Sequence, residues 1–477
     1  MLMAVRCLCF AGALLAIAAV ITGSGGLTAQ SRPSVPEIRL MTLDPGHFHA
    51  ALVQKSMYAG VSPRVHVFGP LGPDLIAHLN RISAYNTRAE NPTAWQIEVH
   101  ASSDYFERML QTRPGNVVII SGRNRGKIDR ILQLVRSGLN VLADKPWILR
   151  TEDLPSLDAA LATADTRRLA AYDIMTERFE ITSVLQRELV NERSVFGEPA
   201  AGTREDPGVY MESVHHLMKM VSGAPNIRPA WFFDTAEQGE GLNDIGTHLV
   251  DLVQWTLFPN QGIDYRRDVT VLSAQRWPTD IPEAEFRRVT GEPAFPSALS
   301  ANVQAGRLEY YCNTFVTYRL RDVNVALNVV WDWEAPEGGG DTHYARYRGA
   351  LSTIEVRQTR ADGYRPELYV IPAEPAGAAA VRAALETKVS SLQGTYPGIS
   401  VDERGGLFHV AIPDTFRVGH EAHFAQVMSH YLDYLHGRDT IPAWERANML
   451  AKYYVTTTGT EMSRQSEPRV APRVAPQ

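Results

Sequence analysis

The chain is poor in cysteine, with three among 477 residues, and two of these, Cys7 and Cys9, lie near the N-terminus. If the N-terminal segment with these two cysteines is removed, only Cys312 remains. A single cysteine can form no internal disulfide, so packing has to stabilise the fold. There is also no excess of basic residues, since the net charge is -6, and this excludes a basic stripe for nucleic acid. The length and the 44% hydrophobic content favour an enzyme of two or three domains that binds small molecules.

Long apolar runs are missing too, except at the N-terminus. A short basic start, residues 1–6, precedes an apolar run over residues 7–22 and a small-residue site at Leu27-Thr28-Ala29. This pattern predicts a signal peptide over residues 1–29 and an exported protein, periplasmic or secreted. The alternative is an uncleaved anchor, but the run falls short of the roughly 20 residues that span a bilayer, so no stable membrane span is expected after cleavage.

Buried strands alternate with amphipathic helices in the first third of the chain. We predict strands over residues 38–43, 65–68, 117–121 and 140–143, and helices over residues 47–58 and 127–137. This alternation predicts an α/β fold with a doubly wound parallel sheet, whose ligands bind at the carboxyl ends of the strands. Asp44, Ser121 and Lys145 fall at those ends.

Glycine is scarce where a dinucleotide fingerprint needs it. The turn after the first strand reads Asp44-Pro45-Gly46-His47-Phe48-His49, with one glycine in place of three. Gly46 stands where a missing side chain lets the backbone approach a pyrophosphate, and the helix N-terminus can bind phosphate. A plain strand-to-helix turn is the alternative. No acidic residue directly follows the second strand, in residues 69–72, so NAD and NADP both remain open.

Two further motifs carry acid/base chemistry. Lys145 follows the strand 140–143, where its ammonium could stabilise a developing alkoxide; a solvated lysine is the alternative. The stretch 239–255 places Asp244 and His248 four residues apart after a glycine-rich turn, so on a helix they share one face with Asp251 and Trp255. A helix with a capping aspartate and a buried histidine explains the same spacing.

These motifs recur in an order that resembles the Gfo/Idh/MocA superfamily of nicotinamide-dependent sugar and polyol oxidoreductases. The resemblance covers roughly residues 38–335, with Asp144 in place of the usual Glu before Lys145. It implies a Rossmann dinucleotide-binding domain over residues 36–172 and a C-terminal α/β domain over residues 173–460, built on a large, open, mainly antiparallel sheet. Residues 464–477 repeat Arg-Val-Ala-Pro, and we expect a disordered tail there.

More narrowly, four motifs resemble a branch whose second half is described as an oxidoreductase C-terminal domain. They begin at Asp44, Met175, Ser213 and Arg228. The resemblance implies NAD or NADP as cofactor, a carbohydrate substrate and association with a second copy through the open sheet. The site residues that we predict on this basis are Lys145, Asp244 and His248 for catalysis; Asp44, Gly46, His47, Phe48, Ser121, Asn124 and Lys145 for the cofactor; and Glu177, Arg178, His215 and Lys219 for the substrate.

We predict no metal site. His215 and His216 are adjacent and should point to different faces, so they cannot share one ion by simple spacing. His420 and His423 lack the spacing of zinc protease helices, and helix capping with surface packing explains them. For Glu177 and Arg178, a salt bridge between the domains is the alternative to substrate contact.

The sequence thus predicts an exported NAD(P)-dependent oxidoreductase that acts on a hydroxyl of a sugar, glycoside or cyclitol. Two alternatives remain. One is an NAD-dependent glycosidase or lyase that oxidises its substrate transiently. The other is a carbohydrate-binding scaffold without activity, which the incomplete glycine fingerprint keeps open.

Overall fold

The computed structural model describes residues 37–221 and 224–466. The predicted signal peptide and residues 467–477 of the predicted tail lie outside this part of the chain. Among the helices of the described part, none combines the length and the apolar character that crossing a bilayer requires.

The first half of the chain forms a six-stranded parallel sheet in the order β3-β2-β1-β4-β5-β6. This is the predicted Rossmann domain. The strand order reverses between β1 and β4, which creates the crevice where such sheets bind ligands. The strands are β1 (Leu40–Leu43), β2 (Arg64–Gly69), β3 (Gln96–Ala101), β4 (Val117–Ile120), β5 (Asn140–Ala143) and β6 (Ala171–Asp173), and the helices are α1 (His49–Val53), α2 (Pro73–Thr87), α3 (Tyr105–Thr112), α4 (Lys127–Arg136) and α5 (Leu154–Arg167).

The strands that the sequence predicts are largely buried, and the edge strand β3, which it does not predict, is mostly exposed. β1 and β4 are covered on both faces and are buried throughout, so they read as continuous apolar runs. β3 is an edge strand with a mostly exposed, polar sequence, and the prediction missed it together with α2 and α3. The helix predicted over residues 47–58 is shorter, since α1 ends at Val53.

The second half is built on a large mixed sheet in the order β10-β12-β13-β7-β14-β15-β16-β18-β17, with β11 paired to β12. All its neighbours are antiparallel except β7 and β13, as the prediction of a mainly antiparallel sheet requires. The strands are β7 (Val209–Met218), β10 (Val269–Pro282), β11 (Val303–Gln304), β12 (Arg307–Leu320), β13 (Val323–Glu334), β14 (Thr342–Arg348), β15 (Ser352–Gln358), β16 (Glu367–Pro372), β17 (Ser400–Arg404) and β18 (Leu407–Ala411), while β8 (Met220–Val221) and β9 (Ala224–Pro225) form a separate pair.

The helices of this part of the chain pack against this sheet, except the helix over residues 420–435, which packs against the first domain. They are α6 (Ile181–Val190), α7 (Arg193–Phe196), α8 (Thr235–Gln238), α9 (Gly241–Leu257), α10 (Tyr265–Asp268), α11 (Glu283–Thr290), α12 (Ala378–Ser391), α13 (His420–Leu435) and α14 (Ala443–Gln465). The helix α9 begins with a capping box between Glu240 and Asn243. It lies so close to β12 that a side chain at Gly241 would meet the Cys312 carbonyl, which explains the glycine there.

The last two helices return to the first domain, so the predicted boundary at residue 173 does not separate two independent halves. Phe424 and Tyr431 of α13 pack in the same core as Leu40 of β1. Tyr453 of α14 packs in the core formed by α4 and α5. The helix α14 also includes Arg464 and Gln465, which we had expected in the tail, and the Arg464 guanidinium lies 2.8 Å from the Glu240 carboxylate.

Candidate functional site

Lys145 and Asp244 meet between the two domains, as the sequence predicts. Lys145 is the second residue after the end of β5, and Asp244 lies in the first turn of α9. The Lys145 ammonium forms an ion pair with the Asp244 carboxylate and lies 3.3 Å from the Asp244 backbone oxygen. Burial opposes the charge on Asp244, but Lys145 outweighs it and lowers the pKa of this carboxyl below its ordinary value. The Asp244 carboxylate is therefore charged at neutral pH.

His248 lies one turn further along α9 and is 9% exposed. Burial, followed by the charge of Lys145, lowers the pKa of His248 to about 4. Its imidazole is therefore neutral at physiological pH. Its Nδ1 atom finds no hydrogen-bond partner in the described part of the chain. A buried, neutral imidazole without a partner next to a fixed cation is suited to accept a proton from a bound hydroxyl.

Asp144 is the centre of a second polar cluster. In the sequence it stands out only as the residue that replaces the usual Glu before Lys145. Its Oδ2 atom lies 2.8 Å from Nδ1 of His49 and 3.4 Å from Nδ1 of His47, and it accepts a 2.9 Å hydrogen bond from the Ser121 hydroxyl. Burial lowers the pKa of His49 to about 3, so this ring is neutral. Ser121, predicted to contact the cofactor, instead positions Asp144 with its hydroxyl.

The side chain of Asn124, which we predict to contact the cofactor, is instead occupied by contacts that join the two domains. Its side-chain nitrogen donates to the Gln238 backbone oxygen at 2.7 Å, and its side-chain oxygen accepts from Lys127 at 2.5 Å. Lys127 also donates to the backbone oxygens of Asp144 and Pro146, at 2.8 and 3.1 Å. Burial lowers the pKa of Lys127 to about 8. This lysine fixes the segment that carries Lys145.

The turn between β1 and α1 is tight. Asp44 has a left-handed backbone with φ of 47°, and its carboxylate accepts from Arg130 at 3.0 Å, so it is occupied within the protein. A side-chain carbon on Gly46 would lie 3.1 Å from the Trp231 ring and 3.2 Å from an oxygen of Asp74. The prediction that Gly46 stands at a close approach therefore has a structural basis.

A cleft of about 710 Å³ opens at this turn, within the range of sites that hold small molecules. Gly46, His47 and Phe48 line it, together with Asp74 and the cations Arg81 and Arg123. Asp74 lies in the first turn of α2 and is an acidic group that the sequence analysis missed, because it stands beyond the residues directly after β2. The buried residues Lys145, Asp244 and His248 are not among those that line this cleft.

The cleft fits a dinucleotide. In the first turn of α1, the N–H groups of Ala50 and Ala51 donate to the backbone oxygens of His47 and Phe48, at 3.2 and 3.0 Å, so side chains have to supply the charge that binds an anion here. The Arg81 and Arg123 guanidinium groups supply charge that complements phosphate, and Arg123 is held 5.1 Å from the Trp231 ring centre.

Glu177 pairs with His420, a residue that the sequence analysis assigned to helix capping. Nδ1 of His420 lies 3.2 Å from the Glu177 carboxylate, and the helix α13 is capped by Gly419 without a side-chain bond. Burial opposes protonation of His420, but Glu177 outweighs it and raises the pKa of this imidazole above 6.5. The His420 ring lies 6.3 Å from the His49 ring, so α13 brings this acid/base pair next to the histidine that contacts Asp144.

The predicted substrate residues His215 and Lys219 both contact Asp341. Nδ1 of His215 lies 3.2 Å from one carboxylate oxygen of Asp341, Nδ1 of His216 lies 3.2 Å from the other, and Lys219 forms an ion pair with the same group. The two histidines, expected to point to different faces, thus reach different oxygens of one carboxylate. Asp341 directly precedes β14, which pairs with β7 at this end, and its two oxygens reach both rings.

Arg178 is taken up by a buried ion network, which corrects its prediction as a substrate contact. Its guanidinium donates to both oxygens of Asp251, at 2.6 and 2.7 Å, and to both oxygens of Glu445, at 2.9 Å each. Lys452 lies 3.1 Å from Asp251 in the same network. The salt bridge left open from the sequence is present, but Arg178, Asp251 and Glu445 all lie in the predicted second domain, so it does not join the two domains as expected.

The fold and this site define an oxidoreductase of the dinucleotide-binding type, in agreement with the comparisons with known proteins. The sequence model described as "Putative oxidoreductase C terminal domain" matches residues 185–464, and the chain belongs to this family. A solved structure of a "putative oxidoreductase" from Parabacteroides merdae is 45% identical, over 90% of this chain and 98% of that chain, with a TM-score of 0.87. No curated protein sequence matches the chain.

More distant structures share the fold. The WlbA dehydrogenase from Bordetella pertussis, in complex with NADH and UDP-GlcNAcA, is 14% identical over 90% of this chain and 96% of that chain, with a TM-score of 0.52. Levoglucosan dehydrogenase, in complex with NADH and L-sorbose, is 13% identical over 89% of this chain and 97% of that chain, with a TM-score of 0.55. The predicted resemblance to the branch with an oxidoreductase C-terminal domain is confirmed.

Proposed function

We propose that the chain is an NAD(P)-dependent oxidoreductase that acts on a hydroxyl of a sugar, glycoside or cyclitol. The observation that carries this proposal is the buried Lys145–Asp244 pair, with the neutral His248 one turn away. The sugar ligands of the two distant relatives support the substrate class.

Each side chain of the site has a role in this reaction. His248 accepts the proton of the hydroxyl, and Lys145 stabilises the oxygen as negative charge develops on it. Asp244 holds the Lys145 ammonium in place. Gly46, His47 and Phe48, with Arg81 and Arg123, would bind the dinucleotide, whose nicotinamide ring supplies the hydride chemistry when bound.

Export and self-association belong to the same proposal. A mature N-terminus at Gln30 would support export, and Met1 on a membrane-bound product would contradict it. Association with a second copy through the open sheet stays a prediction, which the mass of the protein in solution tests.

Replacing Gly46 with valine is expected to abolish dinucleotide retention. Its side chain would press against Trp231 and Asp74 and would block the turn where the pyrophosphate must approach. Mass spectrometry of the gently denatured protein reports the bound dinucleotide, and calorimetry reports its affinity.

The control for this experiment is Gly377→Val, because a side chain at Gly377 meets no other group within 4 Å. Gly46→Ala covers the case in which valine disturbs the fold. Undiminished binding by both Gly46 variants would contradict the cofactor site. If the wild-type protein binds no dinucleotide, the hypothesis of a carbohydrate-binding scaffold without activity is favoured over that of an oxidoreductase.

A second candidate function is the glycosidase or lyase that oxidises its substrate transiently. The Glu177–His420 pair favours it, because Glu177 raises the pKa of His420 above its ordinary value and so favours the protonated imidazole. His248 can then accept the proton of one hydroxyl while His420 donates a proton to an oxygen that leaves the substrate. A simple dehydrogenase needs only the first of these groups.

Glu177→Gln separates the two functions. Without the carboxylate charge, burial and the charges of Lys145 and Lys219 dominate, and the pKa of His420 is expected to fall below 6.5. A titration of ¹³C-labelled histidine by NMR measures this change. In the glycosidase, release of the leaving group from p-nitrophenyl glycosides at neutral pH should drop, while oxidation of simple sugars continues. Equal loss of both activities would contradict the second function.

A further inference from the structure

A separate cluster of metal-ligating side chains lies on β2 and β3, at the edge of the six-stranded sheet. The two strands are parallel, with His66 opposite Glu98 and Phe68 opposite His100. Because side chains alternate along a strand, all four lie on the same face of the sheet. None of them belongs to the site described above.

The ligand atoms of this cluster converge as they would around one ion. Nδ1 of His66 lies 3.0 Å from Nε2 of His100 and 3.4 Å from Oε2 of Glu98, and all three atoms lie within 4.8 Å of one another. A tetrahedral zinc ion with bonds of about 2.0–2.1 Å holds its ligand atoms roughly 3.3 Å apart. Two of the three separations are thus already close to those of a zinc site.

The surroundings keep these groups in place and free to bind. The His100 ring stacks on Phe68, with ring centres 4.2 Å apart and an angle of 7° between the planes. Arg64 pairs with the other oxygen of Glu98, Oε1, at 3.3 Å and leaves Oε2 available.

We propose that His66, Glu98 and His100 bind a divalent zinc ion, with water completing the coordination. Two imidazoles and one carboxylate are a ligand set that zinc accepts. The ion would tie the edge strand β3 to β2 and stabilise the dinucleotide-binding domain. The sequence does not reveal this site, because the two histidines stand 34 residues apart and come together only through the strand register.

The only other such cluster in the described part of the chain, formed by His47, His49 and Asp144, is a poorer candidate. The Oδ2 atom of Asp144 already accepts from Ser121 and lies at hydrogen-bond distance from His49. The charge of Lys145 also acts on both rings and disfavours a cation there. This cluster therefore provides a matched control rather than a second site.

The test is a titration of the metal-free full chain with zinc chloride, followed by calorimetry and by metal analysis after dialysis. We expect one zinc ion per chain and a rise in melting temperature with zinc. Since loss of an outer-shell partner alone costs about 10- to 100-fold in metal affinity, His100→Asn should weaken binding by at least about a hundredfold. Glu98→Gln, at an exposed position, gives the same test with little risk to the fold.

The control is the double variant His47→Asn and His49→Asn, which should bind zinc as the wild type does. Three results would overturn the proposal: no stoichiometric zinc, unchanged affinity in both His100→Asn and Glu98→Gln, or loss of zinc in the control variant alone. The test needs neither dinucleotide nor sugar, so its failure is distinct from failure of the proposed function.

Discussion

Replacing His248 with alanine is expected to slow hydride transfer by on the order of 10²- to 10⁴-fold while the dinucleotide stays bound. The imidazole is neutral because burial and Lys145 lower its pKa, so it is ready to accept a proton. Nδ1 of His248 has no partner in the described part of the chain, so alanine leaves no polar group unpaired there. The loss should therefore fall on the rate more than on stability.

Single-turnover oxidation of a panel of sugars and cyclitols, with the dinucleotide in excess, measures this loss. Lys145→Ala should lose a comparable rate, because the charge on the substrate oxygen is no longer balanced. The double variant should be much less than multiplicatively slower if both side chains serve the same step. Independent, multiplicative losses would contradict a shared step.

Thr247→Val is the matched control on the same helix. Thr247 is fully buried and donates to the Asn243 backbone oxygen at 2.6 Å, so its loss should lower the melting temperature and leave turnover nearly normal. If His248→Ala instead behaves like this control, α9 is a packed helix without a catalytic role. Melting temperature and turnover on the same variants decide between the two.

The sequence predicts most of the fold because buried strands and amphipathic helices leave periodic patterns. In the second part of the chain, the alternation of apolar and polar residues predicts strands over residues 308–320, 323–333 and 342–348. The last of these has the bounds observed for β14, and β12 and β13 each differ from the predicted strand by one residue at one end. The edge strand β3 escapes this reasoning, since a solvated edge lacks an apolar pattern. The return of α13 and α14 to the first domain also leaves no local signal, because an apolar helix face does not indicate which domain it covers.

The candidate site is predictable where one element carries the chemistry. Asp244 and His248 share a helix face, and their spacing shows it. By contrast, Glu177 and His420 come from opposite ends of the second domain, and no spacing relates them. The prediction that His420 caps a helix depends only on its position at the start of that helix.

Asp144 illustrates the remaining difficulty. The sequence presents it only as a replacement for glutamate, yet three side chains from two other loops converge on its carboxylate. A signal was present, since two histidines flank Phe48 in the turn where the fingerprint has glycines. Side chains in place of those glycines need a partner, and a carboxylate at the end of β5 is within reach.

Arg178→Met is expected to destabilise the protein by roughly 3–5 kcal/mol, the cost of breaking a buried ion pair by removing one partner. Arg178 is 9% exposed, and its removal deprives the buried Glu445 of the cation that holds both its oxygens. Urea denaturation at pH 7 measures the change in the free energy of unfolding. The control is Arg108→Met, since the Arg108–Asp104 pair is exposed on one helix turn and should contribute little to stability.

The pH dependence of this loss gives an independent check. Burial opposes the charge on Asp251, but Arg178 and Lys452 outweigh it and hold the pKa of this carboxyl well below its ordinary value. Such a group stabilises the fold above the pKa of an unfolded aspartate, about 3.9, and the stabilisation is lost as the pH falls toward the lower folded pKa. The difference between wild type and Arg178→Met should therefore be full at pH 7 and narrow below about pH 4. A loss under about 1 kcal/mol, or one independent of pH, would show that the network does not stabilise the fold.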